Sequence, residues 1–142
     1  MKRTKLTVMS ALVAVNMLSL GSAFAMSSDS LPPMKTQGSI SYLTGGVGKD
    51  EAEAIKLAAP KYPLSLEFVQ HAKPKNEFLA NVDVTIVDQA GATVLKTVSD
   101  GPFLLAKVPH GRYTVMAEVN GKTKTMHTTV AAHNPKHLVV VW

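Results

Sequence analysis

Hydrophobic and polar residues alternate along much of the second half of the chain. Leu64-Ser-Leu-Glu-Phe-Val69, Val82-Asp-Val-Thr-Ile-Val87 and Tyr113-Thr-Val-Met-Ala-Glu-Val119 all repeat with a period of two. That period puts successive side chains on opposite faces of a strand. Asp88-Gln-Ala-Gly91 predicts a turn before a further strand, Thr93–Val98. Asn120-Gly121 predicts a two-residue hairpin, because both central positions of a type I′ turn need positive φ. Gly101-Pro102 and Pro109-His110-Gly111 are further breaks. His137–Trp142 is a β-branched apolar run after Asn134-Pro135, and it predicts a buried terminal strand. Turn signals recur about every ten residues, the rhythm of an all-β sandwich.

The hairpin also predicts a register. A two-residue loop sets Val119 opposite Lys122, Ala117 opposite Lys124, Val115 opposite Met126 and Tyr113 opposite Thr128. Opposite residues share a face. Tyr113, Val115, Ala117, Met126 and Val130 therefore belong to the core. Thr114, Met116, Glu118, Thr123, Thr125 and His127 face solvent.

The pattern ahead of Leu64 is different. Lys49–Ala59 places Ala52, Ile55, Ala58 and Ala59 on one helical face, with Asp50, Glu51 and Glu53 in the first turns, where the helix dipole favours acids. Pro60 and Pro63 stop it. The helix is preceded by Thr44-Gly45-Gly46-Val47-Gly48, a turn, and by Ser39–Leu43, a short extended piece. Residues 26–38 contain three serines and two prolines and read as a flexible leader. At the start of the chain, Lys2, Arg3 and Lys5 precede an apolar run to about Leu20, and Ala23-Phe24-Ala25 supplies a small-x-small cleavage pattern. This is the pattern of a secretory signal peptide cut after Ala25. The apolar run is shorter than the roughly 20 residues a membrane span needs. The expected organisation is a signal peptide over 1–25, a leader over 26–38, a Gly-rich turn and helix over 39–63, and a sandwich over 64–142.

Composition changes this picture in two ways. The chain of 142 residues has a formal charge of +5, which by itself would point to nucleic acid. Removing residues 1–25 takes away three basic residues and no acid. The remaining 12 lysines and arginines stand against 10 acids, a charge of +2. Lys73, Lys75, Lys107, Arg112, Lys122 and Lys124 make at most a basic rim without interleaved aromatics, so no nucleic-acid partner is expected. The absence of cysteine excludes a disulfide framework, a thiolate metal site and a Cys nucleophile. The expected compartment is the bacterial periplasm or the medium, with no membrane span after cleavage. Cytosolic cofactors such as ATP or NAD are not expected there, and no cofactor is assigned.

The stretch Leu79–Asp88, then Gly91, then Ser99-Asp-Gly-Pro-Phe-Leu-Leu-Ala-Lys-Val-Pro-His-Gly-Arg-Tyr-Thr-Val115 resembles the carboxypeptidase regulatory-like domain family. The resemblance covers about Leu64–Val130. It implies a mainly β, transthyretin-like (immunoglobulin-like) sandwich, here with one short N-terminal helix, acting as a non-catalytic accessory domain. In this pattern Gly91 permits a hairpin turn, and Tyr113 buries its ring with the hydroxyl free to reach a backbone group. The zinc ligands of the neighbouring peptidase are absent, so no peptidase activity carries over. The same fold implies a hydroxyisourate hydrolase branch. Its C-terminal Tyr-Arg-Gly-Ser motif is missing from a chain that ends Val139-Val-Val-Trp142.

Three chemistries remain to be weighed. Gly45-Gly-Val-Gly-Lys49-Asp50 looks like a phosphate loop, but position 43 is Leu, Asp50 replaces the hydroxyl residue, and acids at the helix start repel phosphate. Met116 and His127, outward on adjacent strands, form a sulfur–imidazole pair of the kind copper prefers. His133-x-x-x-His137 would bind metal on a helix, which Pro135 forbids. The leading expectation is recognition of a protein or cell-envelope ligand through loops carrying Gly45, Gly46, Gly48, Lys49, Pro102, His110 and Arg112. Copper binding through Met116 and His127 is the alternative, and a hydrolase is the remote third. No catalytic residue is assigned.

Overall fold

A computed structural model describes residues 31–142. The signal-peptide reading and the first part of the leader lie outside the described residues. The fold is mainly β, a two-sheet sandwich with one short helix. Its strands are β1 (Lys35–Gln37), β2 (Ile40–Gly45), β3 (Leu64–Gln70), β4 (Glu77–Phe78), β5 (Val82–Asp88), β6 (Thr93–Ser99), β7 (Phe103–Lys107), β8 (Gly111–Val119), β9 (Lys122–Val130) and β10 (Lys136–Val141). The helix α1 spans Lys49–Ala58 and runs into a single 3₁₀ turn, Ala59–Lys61.

One sheet has four strands in the order β6-β5-β8-β9. Its hairpin β8–β9 has the register read from sequence, Val119 opposite Lys122 through Tyr113 opposite Thr128. Asn120 and Gly121 take φ of 51° and 74°, as a type I′ turn requires. Tyr113, Val115, Ala117 and Val130 are buried, and Met126 packs half-buried against the core. The second sheet has six strands, ordered β1-β2-β7-β3-β10, with β4 beside β3. All its pairs are antiparallel except β10 with β3. The residues between the sheets form the main core, with Leu64, Leu66, Phe68, Val84, Ile86, Leu95 and Leu104 fully or almost fully buried.

Three features differ from the sequence reading. Residues 39–63 contribute β2 to the six-stranded sheet itself, because β2 pairs along its length with β7. Within the expected leader, Lys35–Gln37 forms β1, and the Gln37 side-chain amide bonds both the N–H and the carbonyl of Lys96 at 2.6 and 2.9 Å. That contact occupies backbone groups on the edge strand β6, which would otherwise be open to pairing with another chain. The terminal strand β10 is an edge strand rather than a buried one. Its one partner is β3, so Leu138 and Val140 point inward while Val139 and Val141 remain 43% and 41% exposed.

The two sheets are tied together at both ends of their strands. Trp142 packs against Phe68 and donates its indole N–H to the Lys122 carbonyl at 3.0 Å. Tyr113 donates its hydroxyl to the Pro109 carbonyl at 2.6 Å. Burial, aided by the charge of Asp88, raises the Tyr113 pKa above the usual phenol value. The neutral phenol is thus favoured in the folded state, so this contribution is complete below the unfolded pKa of about 10 and is lost as pH rises through the folded value. Tyr113→Phe is expected to lose about 0.5–1.5 kcal/mol of stability near neutral pH. Its deficit should narrow above about pH 10. Urea unfolding across that pH range checks both.

Candidate functional site

The outer face of the six-stranded sheet follows from the registers. Leu43, Leu105, Ser65 and His137 lie in one row across β2, β7, β3 and β10. Gly45, Phe103, Glu67 and Val139 form the next row, and Phe78, Val69 and Val141 the one after. The helix covers the β2 and β7 side of this face. Ile55 and Ala58 of α1 pack with Leu43, Phe103 and Leu105 in a second, smaller core. The helical face predicted from Ala52, Ile55, Ala58 and Ala59 is the face that docks.

The β10 edge of this face is not covered, and His137, Val139 and Val141 are exposed there. Between it and the helix lies a groove of about 570 Å³, lined on the helix side by Ile55, Lys56, Ala59 and Pro60 and floored by Ser65, Glu67 and His137. The three floor residues are linked. Ser65 Oγ lies 2.8 Å from His137 Nδ1, and His137 Nε2 lies 3.2 Å from Glu67 Oε2. Ser65 Oγ also lies 3.3 Å from the Lys136 carbonyl. Proton accounting constrains the imidazole. A carboxylate only accepts, so Nε2 carries a proton toward Glu67 in the neutral and the charged ring alike. In the neutral ring Nδ1 then accepts from Ser65. At the edge of the groove, Lys56 Nζ stands 5.6 Å from the Phe78 ring centroid and 5.7 Å from that of Phe103. The rings themselves pack at 5.6 Å.

A serine, a histidine and a carboxylate in one hydrogen-bonded chain resemble the parts of a hydrolase. The serine's setting is that of a buried strand residue. Ser65 sits within β3, with paired strands on both sides, and is 3% exposed. Its neighbouring amides serve the ladders, whereas an oxyanion hole needs free donors aimed at the reacting oxygen. The arrangement is an internally satisfied polar floor, in which Ser65 and both ring nitrogens of His137 already have partners.

The loop residues selected from sequence fall into two groups. Gly45, Gly46 and Pro102 come together at one end of β7 and are buried. A side chain at Gly101 would collide with the Gly45 carbonyl, and one at Gly46 with the Phe103 ring. Gly46 also donates its N–H to Glu51 Oε1 at 2.6 Å, so the acid of the helix start holds the turn. These glycines allow close backbone approach between the helix entry and the sheet. Gly48 and Lys49 are exposed beside them. His110 and Arg112 are exposed at the opposite end of β7, about 17 Å away by strand rise. Met116 and His127 share the outer face of the four-stranded sheet as diagonal neighbours. They border different depressions, and His127 Nδ1 lies 3.1 Å from Thr114 Oγ1. Among the described residues no three His, Asp or Glu side chains gather as a metal cluster. Sequence reasoning missed Ser65 and Glu67, and it placed His137 with His133 rather than with them. The available signal was the pair of polar residues on the outward phase of Leu64–Val69.

No protein-family model matches the chain, and no curated protein matches it. Gly101→Ala is expected to cost about 1–3 kcal/mol, because the Gly45 backbone must move. Gly48→Ala, which meets nothing within 4 Å, should cost only the difference between Gly and Ala at a helix N-cap, about 0.5–1 kcal/mol. Paired thermal and urea denaturation distinguishes the packing glycine from the capping one.

Proposed function

We propose that this chain is an exported, non-catalytic recognition module that binds a ligand in the groove between α1 and the outer face of the six-stranded sheet. The observation that carries the reading is the half-covered sheet. An apolar-walled groove of a size typical for small ligands, with a few convergent polar groups on its floor, is the usual form of a binding site. Export to the periplasm or the medium is supported by the basic, apolar and small-x-small pattern of residues 1–25. Among the described residues no helix is long and apolar enough to cross a membrane.

The reading also takes the chain as a stand-alone transthyretin-like relative of the carboxypeptidase regulatory-like domains. Support comes from where the resembling residues lie. Leu79–Asp88 leads into β5, Ser99–Val115 runs through β7 into β8, and the Tyr113 hydroxyl closes back on Pro109 four residues upstream. Such a tyrosine corner is a recurrent device of Greek-key sandwiches. A rigid sandwich with a groove on one face suits binding better than turnover, since the site sits on strands and lacks a place for developing charge.

Ligand-observed NMR with a set of small apolar fragments tests the groove. Bound fragments are expected to shift the amides of Ile55, Ser65 and His137. Ala59→Trp, which fills the groove from the helix side, should abolish those shifts while leaving the melting temperature within a few degrees of the parent. Fragments that bind elsewhere, or that bind Ala59→Trp equally well, would overturn the assignment.

A further inference from the structure

The ionic groups around the groove point to one class of ligand. Its lining contains Lys56 and Lys136 against a single acid, Glu67. Glu67 is already engaged, because His137 Nε2 donates to its carboxylate at 3.2 Å. Lys56 has no acidic partner within ion-pair distance among the described residues. It lies over the faces of Phe78 and Phe103, where a cation is attracted by the ring quadrupoles. Both places that would receive a ligand cation, the aromatic faces and the Glu67 carboxylate, are therefore taken by the protein's own groups. The opposite is true for an anion, since the Lys56 ammonium is bound on one side and open on the other.

The apolar surface has a matching layout. Ala59, Pro60 and Pro135 form the accessible apolar walls, with Ile55 and Leu105 buried beneath them. Beyond Glu67 the sheet continues into Val139 and Val141, and Phe78 is 54% exposed beside Lys56. Apolar area of this kind gains about 25 cal/mol for each Å² removed from water. Resting on the groove as the binding site, we infer that the ligand is a small carboxylate amphiphile, with its carboxylate on Lys56 Nζ and its apolar body against the accessible Ala59, Pro60 and Pro135 surface.

Three probes of equal chain length and different charge test it: decanoate, decanol and decyltrimethylammonium, each below its micelle concentration and titrated into the protein by NMR. Decanoate is expected to bind about fivefold more tightly than decanol, the share of a partly sheltered ion pair worth roughly 1 kcal/mol. The cation should bind most weakly. Lys56→Gln should remove the preference for decanoate while leaving decanol binding unchanged, a result that a merely structural lysine would not give. Decanol binding as well as decanoate, or the cation binding best, overturns the carboxylate assignment and leaves the groove standing. No probe shifting any groove residue overturns the groove itself. A lysolipid bearing no free carboxylate, bound in the groove as tightly as decanoate, would also overturn the carboxylate assignment.

Discussion

A six-stranded sheet in a two-sheet sandwich has one face sealed by its partner sheet and one face to be covered by other means. Here the cover is a single helix of ten residues. With side chains a helix is about 10 Å across, and strands are spaced about 4.8 Å apart. One helix thus shields about two strands. Those two are β2 and β7, where Leu43, Phe103 and Leu105 meet Ile55 and Ala58. The outward residues beyond the helix follow from this limit. The central strand β3 presents Ser65 and Glu67 outward and β10 presents His137, so the open half near the helix is polar and internally hydrogen-bonded. The groove is the boundary between the two halves.

The helix can lie this close because the chain entering it carries no side chains at the crossing point. Gly45, Gly46 and Gly101 bring the helix entry against the turn that starts β7. The same contact fixes Phe103 and, through it, Phe78 and Lys56. Turn packing at one end of the sheet therefore sets the geometry of the groove's charged rim. Of the residues read from sequence as a docking loop, Gly45 and Gly46 serve this packing, and Val47, Gly48 and Lys49 are presented outward.

Local patterns in the sequence were informative wherever the pairing was local. The β8–β9 hairpin, its turn, its two faces and the apolar face of α1 all follow from residues close in the chain. What escaped was long-range. The link between Ser65 and His137 joins residues 72 apart, and the link between Glu67 and His137 joins residues 70 apart. Both depend on β10 lying parallel to β3, which no local period encodes. The strand β1 escaped for another reason. Lys35, Thr36 and Gln37 are all exposed, so they carry no apolar alternation, and their order comes from the ladder to β2 and the amide of Gln37. The apolar run at the end of the chain looked buried because Leu138 and Val140 are. Its other face became visible only once β10 was placed at the edge of the sheet.

The most direct measurement is methyl NMR of the whole protein in the presence of a soluble paramagnetic probe. A half-covered sheet predicts strong broadening of the Val139 and Val141 methyls, and sharp, protected signals from Leu43, Ile55 and Leu105 on the same face. Protection of Val139 and Val141 equal to that of Leu43 would show that another part of the chain occupies the open half, and the groove would not be a free binding site.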